Sequence, residues 1–118
     1  MPSAYTAQFI GQTNLLRAQV RSGLASIGGM QWRTTQPDGI LLFSLRPEAI
    51  HFTASAQPRA DAVRFRATIR QQTYSGSTED LEVDCAGQSL RVRTPARGLL
   101  TGTHEFFFDP ADAIPVGD

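Results

Sequence analysis

Leu41-Leu42-Phe43-Ser44-Leu45-Arg46-Pro47-Glu48-Ala49-Ile50-His51-Phe52 is the stretch on which the fold turns. Both of its ends have the aliphatic and aromatic character of buried strand. Its middle does not. Proline offers no N–H to a sheet ladder and is confined to edges, bulges and strand ends. A charge, a proline and an opposite charge therefore interrupt the most hydrophobic run of the chain.

Working outward, Gln36-Pro37-Asp38-Gly39 is a turn signal. It would join "MQWRT" (30–34) to the run from Ile40 to Leu45 as a hairpin. Before it, "LLRAQVRSGLASI" alternates with Leu16, Ala18 and Val20 on one side and Arg17, Gln19 and Arg21 on the other, up to Gly28-Gly29. After Phe52, "ASAQPRADA" (54–62) reads as an exposed loop. "VRFRATIRQQTY" alternates again, placing Val63, Phe65, Ala67 and Ile69 opposite Arg64, Arg66, Thr68 and Arg70. Tyr74-Ser75-Gly76-Ser77 breaks it. "LEVDC" and "LRVRT" form a tight hairpin through Ala86-Gly87-Gln88, where Gly87 can supply positive φ. "HEFFF" (104–108) is expected as the last strand, with alternate rings entering the core. Asp109-Pro110 then caps a single helical turn. At the other end, "PSAYTAQFIG" suggests a short helix capped by Ser3 and stopped at Gly11.

About eight short strands with regular turn signals indicate an all-β domain: an OB-like small barrel of antiparallel strands, with a short N-terminal helix and a C-terminal helical turn. The Cys…Trp…Cys spacing of an immunoglobulin sandwich is missing. With 118 residues, 41% hydrophobic and 19% charged, the chain is one globular domain. Eleven basic and eleven acidic residues cancel, so no overall field recruits nucleic acid or an anionic membrane. No apolar run approaches the roughly 20 residues needed to span a bilayer. The single Cys85 cannot form an internal disulfide, which fits a reducing compartment.

All eleven basic residues are arginine. With no lysine, the chain can have neither a phosphate-binding P-loop nor Schiff-base chemistry. His51 and His104 lack any partner at metal-ligand spacing and read as ordinary strand histidines. Glu79, Asp80, Glu82 and Asp84 read as a solvated acidic strand, with Arg91 and Arg93 pairing across the hairpin. There is no Gly-x-Ser-x-Gly elbow, and no cation or helix N-terminus beside Cys85 to activate it. The Arg64-Arg66-Arg70 face carries no interleaved aromatics for a base-stacking groove. These readings favour a binding or regulatory module over an enzyme.

Three stretches in order resemble one family. "QFIGQTNLLRAQV" (8–20) is similar to the junction between the nucleotide-binding domain of an ABC importer ATPase and its C-terminal TOBE domain. "FSLRPEAIHF" resembles the Arg-Pro-Glu strand of that domain. "ATIRQQTYSGSTEDLEVDCAGQSLRVRTP" and "TGTHEFFFDPADAI" resemble its closing half. The style is that of polyamine, iron and maltose-type importers. The resemblance implies that residues 1–14 are the tail of a preceding nucleotide-binding domain and 15–118 the OB-like domain, and Phe9-Ile10-Gly11 favours such a fragment.

It further implies a non-catalytic regulatory and dimerisation domain. ATP and Mg would bind in the absent nucleotide-binding domain, leaving no cofactor here. Its partners would be a second copy of the ATPase subunit and membrane permease subunits, with no nucleic acid and no direct insertion into the bilayer. The location would be cytoplasmic, at the inner face of a bacterial inner membrane. Within this frame Arg46-Pro47-Glu48 marks a strand end or bulge, with Leu45-Arg46 held extended and Arg46 and Glu48 free to face one way. Those three residues, with Gly76 and Ser77, are the candidate interface or structural positions; a local brace and a contact to a partner domain are both open. The alternative is a free-standing protein that binds molybdate-type oxyanions. Its relatives begin like Asn14-Leu15-Leu16 to Val20, but this chain has Gln12-Thr13 before the asparagine and Ala18 where glycine is common.

Overall fold

A computed structural model describes residues 13–96 and 98–117. Ten strands run in chain order: β1 (Asn14–Arg21), β2 (Leu24–Ile27), β3 (Met30–Arg33), β4 (Gly39–Leu45), β5 (His51–Phe52), β6 (Val63–Ser75), β7 (Thr78–Cys85), β8 (Gln88–Pro95), β9 (Thr103–Phe108) and β10 (Ile114–Pro115). They form two five-stranded antiparallel sheets, ordered β10-β4-β1-β2-β3 and β5-β9-β6-β7-β8. Each sheet curls as a half-barrel, and the whole is the all-β, OB-like fold expected from the sequence. The expected N-terminal helix lies outside the described residues. The C-terminal helical turn is a 3-10 helix, Pro110–Asp112, capped as anticipated: Ala111 N–H donates to Asp109 Oδ1 at 3.0 Å.

The break at Arg46-Pro47-Glu48 separates the sheets. β4 belongs to the first and β5 to the second, and the chain passes between them through a one-turn 3-10 helix, Pro47–Ala49. Arg46 is extended at φ −68° and ψ 144°, as a residue before proline should be. Pro47 opens the turn where its missing N–H costs nothing, and its ring is buried.

Alternation decides which side chains enter the core. Leu16, Ala18 and Val20 from β1 meet Val63, Phe65, Ala67, Leu81, Val83, Leu90 and Val92 from the second sheet in one buried cluster. Trp32 joins the layers: its ring packs edge-on to Phe43 at 5.3 Å and to Phe108 at 5.8 Å. Phe106 and Phe108 both point inward, as the alternate rings of "HEFFF" should. Phe107, on the other face, lies 5.4 Å from the ring of His51.

Two expectations are corrected. Gln36-Pro37-Asp38-Gly39 does not close a hairpin, because β3 pairs with β2 while β4 pairs along its whole length with β1. The reason lies in "LLRAQVRSGLASI", which is two strands. Ser22 and Gly23 adopt positive φ, 52° and 77°, so β1 and β2 are themselves a hairpin. β3 then forms the outer strand of the first sheet. Nor is "HEFFF" the last strand, since Ile114 and Pro115 add β10 against Ser44 and Phe43.

Gly28 matters for packing as well as for its turn. It has φ 58°, and a Cβ placed on it would lie 3.2 Å from the Cys85 carbonyl oxygen. The β2–β3 turn thereby rests directly on the β7–β8 hairpin of the other sheet.

Candidate functional site

The sequence-selected positions fall in two places, connected by β8. At the crossover, Glu48 Oε1 lies 3.9 Å from an Arg93 guanidinium nitrogen. Arg93 also donates from Nε to Asp80 Oδ1 at 2.9 Å. That hydrogen bond and the Asp80 charge raise the guanidinium further above its ordinary value. Glu48, Arg93 and Asp80 thus tie the crossover turn to β8 and β7. Arg46 is exposed and makes no ion pair among the described residues. It lines a groove of about 460 Å³ with Ser44, Ala49, Asp112, Ile114 and Val116.

Gly76 and Ser77 form the exposed tip of the β6–β7 hairpin, with Gly76 at φ 67°. The Ser77 carbonyl accepts the Ala96 N–H at 2.9 Å, fastening the end of β8. Among the described residues the two groups share no direct hydrogen bond or ion pair. Arg93 and Ala96, three residues apart on one strand and its exit, are what connects them.

Reactive groups are dispersed. Cys85 is buried, and that burial, followed by the charge of Asp84, pushes its thiol above its ordinary value. His104 Nε2 lies 2.8 Å from the Thr101 carbonyl, while the His51 ring lies tilted against Phe107. No group of three His, Cys, Asp or Glu able to hold a metal occurs among the described residues.

Two structural devices went unread in the sequence. Asn14, only 8% exposed, pairs its side-chain amide with the main chain of one residue, Arg91, of the other sheet. Nδ2 donates to the Arg91 carbonyl at 2.9 Å, and Oδ1 accepts the Arg91 N–H at 2.7 Å. It acts as one extra rung between β1 and the edge of β8. Beside it, Thr13 and Ser44 share a buried hydroxyl hydrogen bond of 2.8 Å.

The second device is Gln72 with Glu79. Glu79, expected on a solvated acidic strand, is fully buried. It faces inward with Leu81 and Val83, so the alternation that exposes Glu82 buries Glu79. Gln72 Nε2 donates to Glu79 Oε2 and to the Gly98 carbonyl, both at 2.6 Å, while Gln72 Oε1 accepts Leu100 N–H at 3.0 Å. The loop before β9 is held by these bonds. On the exposed side of the hairpin, Arg93 meets Asp80 and Arg91 stands opposite Glu82, matching the cross-strand charge pattern expected.

The TOBE domain family matches residues 43–106, from the end of β4 into β9. The spermidine/putrescine import ATP-binding protein PotA 2 of Pseudomonas aeruginosa is 29% identical over 124 residues, covering 95% of this chain and 33% of that protein. The Fe(3+) ions import ATP-binding protein FbpC of Yersinia pestis is 30% identical over 96 residues, covering 78% of this chain and 28% of its own length. That of Pasteurella multocida is 24% identical over 98 residues, covering 78% of this chain and 27% of its own. The chain spans about a third or less of these relatives. With more than half of its residues matched, the chain belongs to the TOBE domain family.

Proposed function

We propose that this chain is the non-catalytic regulatory domain of an ABC importer ATP-binding subunit, and that it helps two such subunits stay together through the ATP cycle. The observation that carries this is the family match over residues 43–106, joined to relatives that are import ATP-binding proteins for spermidine/putrescine or Fe(3+). The transported solute is a small one, a polyamine, iron, a phosphonate or similar. ATP and Mg act in the nucleotide-binding domain of the same polypeptide, which lies at the cytoplasmic face of the membrane against permease subunits. This chain has no lysine for a P-loop, so nucleotide binding through that motif falls to the neighbouring domain.

Arg46 and Glu48 are the proposed contact positions in the assembled ATPase. Their joint replacement by Ala should leave the domain folded and weaken dimerisation of the ATPase subunit. Loss of folding would instead assign the pair to a local bracing role at the crossover, Glu48 through Arg93.

The reading is tested by isolating the native polypeptide with an antibody against this domain. The expected product is several-fold heavier than 12.9 kDa and yields peptides containing a P-loop lysine. A native product near 12.9 kDa would overturn it. Titration with molybdate would then become the informative measurement.

A further inference from the structure

The chain is neutral overall, yet its charges are segregated between the sheets. In the second sheet Arg64 lies 4.0 Å from Glu105, Arg70 lies 3.8 Å from Asp84, and Arg93 lies 2.9 Å from Asp80. The first sheet differs. Its strands β1, β2, β3, β4 and β10 contain no Asp or Glu, yet they carry Arg17, Arg21 and Arg33. All three are exposed, and none makes an ion pair among the described residues. The nearest carboxylate in sequence, Asp38, sits in the loop before β4 and accepts the Ser22 N–H at 3.0 Å.

These arginines alternate with the core-facing residues of their strands, so they share the outer face of the sheet. The register sets aliphatic side chains among them. Leu42 is opposite Arg17, and Leu24 is opposite both Arg21 and Arg33. Ile40, opposite Gln19, is 68% exposed.

We infer that the outer face of the β10-β4-β1-β2-β3 sheet is a docking surface for a protein partner presenting carboxylates around an aliphatic centre. Charge complementarity selects that occupant. A second copy packed on the same face about a two-fold axis would set arginine against arginine. Single-stranded nucleic acid would need aromatic platforms, and every outward position on this sheet is aliphatic, polar or arginine. An anionic bilayer would meet a face whose three arginines are spread over a sheet, without the dense basic cluster that holds peripheral segments to lipid. The inference rests on this charge distribution and stands apart from the importer reading.

The test uses a short synthetic peptide of alternating Leu and Glu as the probe, with an alternating Leu and Lys peptide as its counterpart. Binding is followed by isothermal titration at two salt concentrations, with circular dichroism to verify the fold of each variant. The Leu–Glu peptide is expected to bind saturably and more weakly as salt rises. Arg17→Glu with Arg33→Glu should weaken it about tenfold or more. Arg17→Gln with Arg33→Gln, the variant least liable to disturb the sheet, should give a smaller loss in the same direction. Arg64→Glu with Arg66→Glu on the other sheet should stay within about twofold. Absence of saturable binding, equal loss from both pairs of reversals, or preference for the Leu–Lys peptide would overturn the proposal. So would tighter binding to phosphatidylglycerol vesicles or to oligothymidine than to the Leu–Glu peptide.

Discussion

Replacing Asn14 by Ala removes the hydrogen bonds to the N–H and the carbonyl of one β8 residue, Arg91, and leaves the backbone chain of both strands untouched. The Arg91 N–H and carbonyl then lose their partner at a site that is only part-buried. A fully buried orphan group costs about 1–3 kcal/mol, and partial access to water argues for the lower end, about 1 kcal/mol each. The sum, about 2 kcal/mol, is a substantial share of the roughly 5–15 kcal/mol that holds a small domain together. For a domain of this size it corresponds to a fall in Tm of about 8 °C. Urea unfolding should show a lower midpoint with an unchanged slope, since the surface exposed on unfolding is the same. Hydrogen exchange gives a local readout, in which the Arg91 amide loses protection beyond what the global change explains. Asn14→Asp sharpens the test, because a carboxylate can still accept the Arg91 N–H but opposes the Arg91 carbonyl. It should therefore recover little or none of the loss. A change below about 0.5 kcal/mol in Asn14→Ala, with the Arg91 amide still protected, would refute the idea that this amide holds the sheets together.

Glu48→Ala should change stability by less than about 0.5 kcal/mol in urea unfolding, since the Arg93 pair is 3.9 Å apart and about half exposed. Arg93→Ala, which also loses the 2.9 Å bond to Asp80, should cost more, about 1 kcal/mol. Gly28→Ala should destabilise by about 1–2 kcal/mol, because the positive φ is strained for Ala and its methyl would press on the Cys85 carbonyl. Gly76→Ala, at a similar φ of 67° with nothing within 4 Å of the added methyl, should cost less, and equal losses would remove the packing argument. Cys85 should resist iodoacetamide in the native state and react on unfolding, as its raised pKa and burial imply. Because the folded thiol ionises later than the unfolded one, its contribution to stability is full below about pH 8.5 and is lost as pH rises through the folded value. A Cys85→Ala variant should show a shallower alkaline decline than the parent, and an identical decline would refute that linkage.

Where one rule governed the outcome, the sequence was readable. Val63, Phe65 and Ala67 alternate against arginines and do face the core, and Ala86-Gly87 does turn a hairpin. Pro37-Asp38-Gly39 misled because turn chemistry sets a local reversal, while pairing is decided by which edge is free. With β2 already on one side of β1, β4 took the other. Glu79 was misread from its acidic neighbours, because a burial decided by register is not visible in composition. Asn14 falls in a recognisable motif, but its role depends on Arg91, seventy-seven residues away. The net charge concealed the arginine-only sheet, since a sum over the chain carries no information about faces.

The passage through Pro47–Ala49 also bears on the order in which the molecule can assemble. β1–β2, β2–β3, β6–β7 and β7–β8 are all hairpins between neighbours, so each can close over a short loop. Pairing Asn14 with Leu45, and Val63 with Phe108, requires closure of much longer segments. Two hairpin units, one on each side of the crossover, can therefore form early and separately. The long-range closure cost then falls on their docking, when Trp32 reaches Phe108 and Asn14 reaches β8. The Pro47–Ala49 turn hands the chain from β4 to β5 without a long loop, so one strand of each sheet starts that search beside the other.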